Sequence, residues 1–211
     1  MGKSSNWYHR HTTDAYVKKA REQGRRSRAI FKLSEILRRY TLLEGGKSVV
    51  VDLGCSPGSW CQELVTRVGK ESVVVGMDVL PMEAIQGVEF IQADFTTDEA
   101  RRLLTAALSG RKVDLVLSDM SPELSGHKLV DQARMIGLNE EVLSFALHHL
   151  RRGGHLLLKT FMGEGFHALR NSMSDYFSSV KIIKPAASRK TSSEIYLLAR
   201  EFKGMSEHDG S

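Results

Sequence analysis

Cysteine is nearly absent from this chain. Of its 211 residues only Cys55 and Cys61 are cysteines, too few for a disulfide framework and wrongly spaced for a zinc finger. A reducing compartment fits that usage. No apolar run is long enough to cross a bilayer, and no apolar signal segment opens the chain. No membrane partner is therefore expected. His9, His11, His148 and His149 lack metal-ligand spacing, so no metal is expected either. There is no internal repeat and no low-complexity segment. The length suits one well-buried core. The expected division is a single domain over 1–204, with 1–40 a basic helical extension and 205–211 a disordered tail.

Negative charge is scarce where positive charge crowds. The formal net charge is only +5. From Lys18 to Arg39, however, nine basic residues face only Glu22 and Glu35. A solvated helix face usually mixes signs, so this stretch favours a polyanionic partner, with a merely basic surface helix as the plain alternative.

The stretch VVVDLGCSPGSW, Val49 to Trp60, joins a buried strand to a glycine loop. No Gly-Lys-Ser/Thr follows, so it is not a P-loop, and Gly54 and Gly58 do not make the Gly-x-Gly-x-x-Gly of dinucleotide sites. A ligand without phosphate is expected. Beyond it, short β-branched runs at Ser48–Asp52, Ser72–Asp78, Val88–Gln92, Val113–Ser118, His155–Thr160, Val180–Ile183 and Glu194–Ala199 predict strands. Helical spacing predicts helices over Thr12–Gln23, Arg28–Tyr40, Ser59–Val68, Asp98–Ser109, Leu129–Arg152 and Gly165–Phe177. The alternation implies an α/β fold with a mostly parallel seven-stranded sheet and helices on both faces. Lys184–Ser193 is too short for a helical crossover, so the last two strands should pair antiparallel.

Ligands of such sheets sit beyond the carboxyl ends of the strands. Asp52, Asp78, Asp94 and Asp119 fall at those ends. Asp78 is placed to reach ribose hydroxyls and Asp94 an adenine amino group. Carboxylates would repel a pyrophosphate but suit a cationic adenosine, and S-adenosylmethionine is one. Helix capping is the structural alternative for any one aspartate. Trp60 borders the pocket or belongs to the core. Lys159 lies inside the apolar run LLLKT, where a charge is costly unless paired. Glu194 opens the last strand, and Lys32 sits on the apolar side of a basic helix.

RSRAIFKL, VVDLGCSPGSW, GMDVLPM, QADF, LSDMSPELSG, LLLKTFMGEGF and KPAASRKTSSEIYLLA run in this order from about Trp7 to Phe202. In order and spacing they resemble the FtsJ/RrmJ family of S-adenosylmethionine-dependent RNA ribose 2′-O-methyltransferases. The resemblance implies a Rossmann-like class I methyltransferase fold and a catalytic tetrad of Lys32, Asp119, Lys159 and Glu194. It implies cofactor contacts at Gly54, Gly58, Trp60, Asp78, Asp94 and Asp119. RNA contacts are expected at Arg25, Arg26, Arg28, Lys32 and Arg189. Cys55-Ser56 stands where the bacterial pattern has two alanines.

SDMSPELSG, Asp131 and SSEIY resemble the ribosomal branch. The implied substrate is then a uridine ribose in large-subunit ribosomal RNA, within the large ribosomal subunit, and the implied enzyme a cytoplasmic monomer. The alternatives are a transfer-RNA anticodon-loop enzyme, an inactive RNA-binding member, and a mitochondrial location. The chemistry asks for a group that takes or polarises the 2′-hydroxyl proton. Lys159 is favoured as base, with Lys32 positioning the ribose; the rival reading makes Lys159 a cation that steers the hydroxyl.

Overall fold

Valine-rich segments flanked by glycine and aspartate build one sheet in the computed structural model, which describes residues 14–43, 46–189 and 192–205. Two basic helices come first, α1 (Ala15–Glu22) and α2 (Ile30–Arg39). The alternating part follows: β1 (Val49–Leu53), α3 (Ser59–Val65), β2 (Val73–Asp78), β3 (Val88–Gln92), α4 (Asp98–Leu108) and β4 (Val113–Ser118). It ends with α5 (Lys128–His149), β5 (Leu150–Phe161), α6 (Phe166–Tyr176), β6 (Phe177–Ile183) and β7 (Glu194–Phe202).

The strand order is β3-β2-β1-β4-β5-β7-β6. All neighbours are parallel except β7, which runs against both β5 and β6. This is the mixed sheet with one reversed strand that the short Lys184–Ser193 connection implies. β1 is covered on both faces and buried along its whole length, as expected of a central parallel strand.

The sheet divides the core in two. On one face α4, α5 and α6 place Leu104, Val142 and Phe166 over Val51, Val116, Leu158 and Leu197. On the other, Leu33 and Ile36 of α2 and Leu64 of α3 cover Val50, Leu115, Leu157, Leu198 and Tyr196. The period of α2 explains its place: Ile30, Leu33 and Ile36 are buried on one side. Thr97 starts α4, its hydroxyl accepting from the Ala100 amide at 3.2 Å.

Several boundaries differ from the sequence reading. Helix α5 stops at His149 rather than Arg152, and β5 begins at once, Leu150 pairing with Val113. Gly153 and Gly154 disfavour a continued helix interior, and the β4–β5 ladder shifts register between the Leu150 and His155 pairs. Strand β7 runs on to Phe202. The parallel pair β2 and β3 is joined by residues 79–87 with no helix. Residues 12–13, the histidines at 9 and 11, Lys190 and most of the tail lie outside the described residues.

Candidate active site

The glycine loop works by close approach. Gly54 has φ +75°, and a Cβ there would lie 2.8 Å from the Met120 amide nitrogen. The Gly54 amide donates to the Met77 carbonyl at 2.8 Å and the Asp119 amide to the Leu53 carbonyl at 3.0 Å. The ends of β1, β2 and β4 are thereby laced together. Gly58, at φ +102°, would drive a Cβ into Ile85, Met82 and the Arg26 guanidinium.

Beside this loop lies a cavity of about 1110 Å³, lined by Gly54, Asp78, Asp94, Phe95, Asp119 and Met120 among others. Asp78 accepts the Ser56 and Leu80 amides at 2.8 and 2.9 Å. Asp94 Oδ1 accepts the Thr96 amide and hydroxyl at 3.0 and 2.8 Å. Each carboxylate is therefore fixed in place and keeps lone pairs for a ligand. The strand-end carboxylates of Asp78, Asp94 and Asp119 with the apolar walls of Val79, Leu80, Phe95 and Met120 suit a cationic adenosine, so the residues fit S-adenosylmethionine.

Two residues of the expected cofactor set lie elsewhere. Gly58 faces Arg26 and residues 82–85, and Trp60 is buried in the core, where its indole N–H donates to the Ala29 carbonyl at 2.9 Å. Asp52 is also off the cavity wall. It is 0 % exposed and accepts from the Cys61 thiol at 3.2 Å. Burial, with the Asp119 and Asp78 charges adding to it, raises its carboxyl to about 7 despite that hydrogen bond.

Beside the cavity, which Asp119 lines, the four expected catalytic side chains come together. Lys159 Nζ donates to the Asp119 carbonyl at 2.5 Å and lies 3.3 Å from Asp119 Oδ1. Lys32 Nζ lies 2.5 Å from Glu194 Oε1. Each lysine thus has its own carboxylate. The register explains the convergence: Lys159 pairs with Tyr196 across β5 and β7, so both point to the face covered by α2.

Tyr196 is the member that sequence reasoning missed. Its hydroxyl donates to Asp119 Oδ1 at 2.8 Å and stands 3.3 Å from Lys32 Nζ and 3.5 Å from Glu194 Oε1. The phenol joins the two ion pairs. Burial first, then the Asp119 and Glu194 charges, push its ionisation well above the usual range, so it stays a neutral donor. Burial alone would raise the Glu194 carboxyl, but Lys32, with Lys159 and Ser188, brings it below its ordinary value. A tyrosine in a strand gives no signal by itself; it shares a face with Glu194, as alternate strand residues do, but only the β5–β7 register brings its hydroxyl to Asp119.

The arginines divide into two kinds. The Arg26 guanidinium donates to the Pro57, Glu83 and Ala84 carbonyls at 2.9, 2.8 and 3.2 Å, bridging the glycine loop and residues 79–87. Arg28 is paired with Asp14, donates to the Ala187 carbonyl and stacks over Tyr16. Arg189 is half-exposed, 3.7 Å from Asp14. The Arg25 side chain has no ion pair among the described residues and is partly exposed. Arg25 and Arg189 thus present partly exposed charge, while Arg26 and Arg28 are engaged within the chain.

The family model of the FtsJ-like methyltransferases matches residues 25–202. Over 200 residues the chain is 50% identical to the Ribosomal RNA large subunit methyltransferase E of Azoarcus sp., covering 95% of this chain and 97% of that protein. The protein of the same name from Thiobacillus denitrificans is 50% identical over 196 residues, covering 93% and 89%. Among solved structures, a ribosomal RNA methyltransferase from Plasmodium falciparum superposes with a TM-score of 0.75 at 29% identity, over 85% of this chain and 100% of that one. Glycine loop, cavity and tetrad all fall inside the matched span, and the chain belongs to the FtsJ-like methyltransferase family.

Proposed function

We propose that this methyltransferase modifies the ribose 2′-hydroxyl of a uridine in large-subunit ribosomal RNA. The observation that carries the reading is the pair of lysine–carboxylate bridges, joined by Tyr196, next to the carboxylate-lined cavity that Asp119 borders. The names of the relatives support the ribosomal substrate. Their bacterial origin supports action in the cytoplasm. Completion of the site within one chain supports a monomer.

S-adenosylmethionine, when bound, supplies an electrophilic methyl on a sulfonium that leaves as a neutral thioether. The chain's residues bind, orient and move a proton. Asp78 and Asp94, which keep free lone pairs toward the cavity, would hold the adenosine part of the cofactor, Asp78 through its ribose and Asp94 through its adenine. Lys32, held by Glu194, positions the target ribose. Lys159, oriented by both oxygen types of Asp119, meets the 2′-hydroxyl and, as the neutral amine, takes its proton as the new oxygen–carbon bond forms. Arg25 and Arg189 meet flanking phosphates, and Arg26 and Arg28 hold the segments that present them.

The test is transfer of labelled methyl from the cofactor to large-subunit ribosomal RNA, assembled large subunits and transfer RNA, with the product nucleotide mapped. A 2′-O-methyluridine in the ribosomal RNA is the expected product. Label confined to transfer RNA would replace this reading with the anticodon-loop enzyme.

A further inference from the structure

A nucleotide ribose has a phosphate on one side and a base on another, so a site for its 2′-hydroxyl needs two unlike banks. The tetrad faces α2, and the bank on that side is basic, with Arg25, Lys32 and Arg189. The opposite bank lies over the face of α5 and α6. It is built from the segment after β4, the first turn of α5 and the segment after β5, all rising over the edge that carries Asp119 and Lys159.

This second bank is apolar at its surface. Leu124, Leu129, Val130 and Met162 are between 44% and 67% exposed. Its charges offset one another, Glu123 and Glu164 against Lys128 and Arg134, so it has little attraction for phosphate. It is also held in place. Asp131 accepts the Ser125 amide and hydroxyl, both at 2.7 Å, and the Gly126 amide at 3.2 Å. The next residue, Gln132, donates to the Met162 carbonyl at 2.9 Å. Neighbouring residues of one helical turn thus fix both segments, and both side chains are buried. Large apolar side chains kept in water beside a reaction centre mark a binding surface.

We propose that Leu124, Leu129, Val130 and Met162 form the bank that receives unstacked RNA bases, the target base and a neighbour, while the basic bank receives the phosphates. The inference rests on RNA being the substrate. Every base has an apolar face, and splayed bases of single-stranded RNA are read by packing on side chains. A methionine thioether makes favourable contacts with aromatic rings. Because the bank is already ordered, little conformational freedom is lost on binding.

The four residues are exposed, so replacing all of them by serine should leave the fold and the cofactor dissociation constant unchanged. Affinity for protein-free large-subunit RNA should fall about tenfold to a hundredfold, the range for losing one packed base. The slope of log affinity against log salt should stay as in the wild type, because no phosphate contact is lost. Met162→Leu should retain affinity where Met162→Ser does not. Unchanged affinity of the fourfold variant for protein-free RNA would overturn the proposal. So would a loss seen only with assembled subunits, which would make the bank a protein-docking surface. RNA affinity is read without turnover, so a wild-type protein that binds RNA but methylates none would overturn the functional reading separately.

Discussion

Lys159 and Lys32 look alike in the sequence, as basic residues in apolar surroundings, yet their partners differ. Lys159 is oriented by Asp119 at the strand end, and Lys32 by Glu194 from a helix. Under single-turnover conditions with saturating RNA and cofactor, binding drops out of the rate. Lys159→Ala should then lower the rate by about 10²–10⁴-fold, the usual cost of losing a general base. A wild-type rate that climbs with pH would support the base, and a flat profile would make Lys159 the steering cation. Tyr196→Phe removes the hydroxyl that links the two pairs but leaves each pair intact. Its rate should fall by only about three- to tenfold, the equivalent of roughly 0.5–1.5 kcal/mol for one hydrogen bond, with the cofactor dissociation constant unchanged. Equal losses in rate and cofactor affinity would show that Tyr196 merely supports the fold. Lys159 stood out because a charge inside an apolar strand demands a partner, while its grouping with Lys32, Asp119 and Glu194 came from the family resemblance. Tyr196 did not stand out, since a strand tyrosine is ordinary and only the β5–β7 register puts its hydroxyl beside Asp119. Trp60 misled for the converse reason: it follows the glycine loop closely in sequence, but the turn of α3 points it into the core.

Among the elements, residues 79–87 show best how a missing helix is replaced. A parallel pair is normally joined by a helical crossover that satisfies its own carbonyls. Here Arg26 takes up the Glu83 and Ala84 carbonyls from outside, and the Pro57 carbonyl with them. One guanidinium offers five donors in a planar fork, which a lysine ammonium cannot imitate. Arg26→Ala should therefore destabilise the protein by about 1.5–3 kcal/mol and raise the cofactor dissociation constant. Arg26→Lys should rescue neither. The salt dependence of RNA binding should hold in both variants, whereas Arg25→Ala should lower its slope by about 0.7–0.9. An Arg26→Ala protein with native cofactor affinity and a flattened salt slope would return Arg26 to the phosphate track. Strand and helix order was readable from periodicity and glycine punctuation. The start of β5 was not, because Leu150 and Arg151 continue the helical spacing of α5 and only pairing with Val113 turns them into strand. The basic stretch was readable as charge. Which arginines point outward depends on carbonyls far away in sequence.

For the molecule as a whole, the buried Asp52 sets a pH dependence. The folded state keeps this proton up to about 7, while the unfolded carboxyl releases it near its ordinary value of 3.8. Between those values folding takes up a proton, so stability falls as pH rises through the window and levels off above it. Glu194 acts in the opposite sense: its lowered carboxyl stabilises the fold at neutral pH, and that contribution is lost as pH falls through its folded value. Asp52→Asn keeps the shape of the neutral acid without titrating. Calorimetric melting from about pH 5 to about pH 8 should show a decline in the wild type that the variant lacks, with the variant the more stable at the alkaline end. Parallel curves would mean that Asp52 is ionised in the fold. The reversed strand has a consequence on the same scale. In a wholly parallel sheet the strand after β6 would begin at the far edge, and only strand-to-helix turns would reach the catalytic rim. Because β7 runs backwards, the β6–β7 hairpin turns at that rim and β7 begins there with Glu194. Such a hairpin can change in length and composition while the ladder behind it keeps its register. A change confined to the turn of this hairpin therefore leaves the strands that carry Lys159 and Tyr196 in place. Transplanting 184–193 from a relative that acts on a different RNA is the exchange the architecture accommodates most readily.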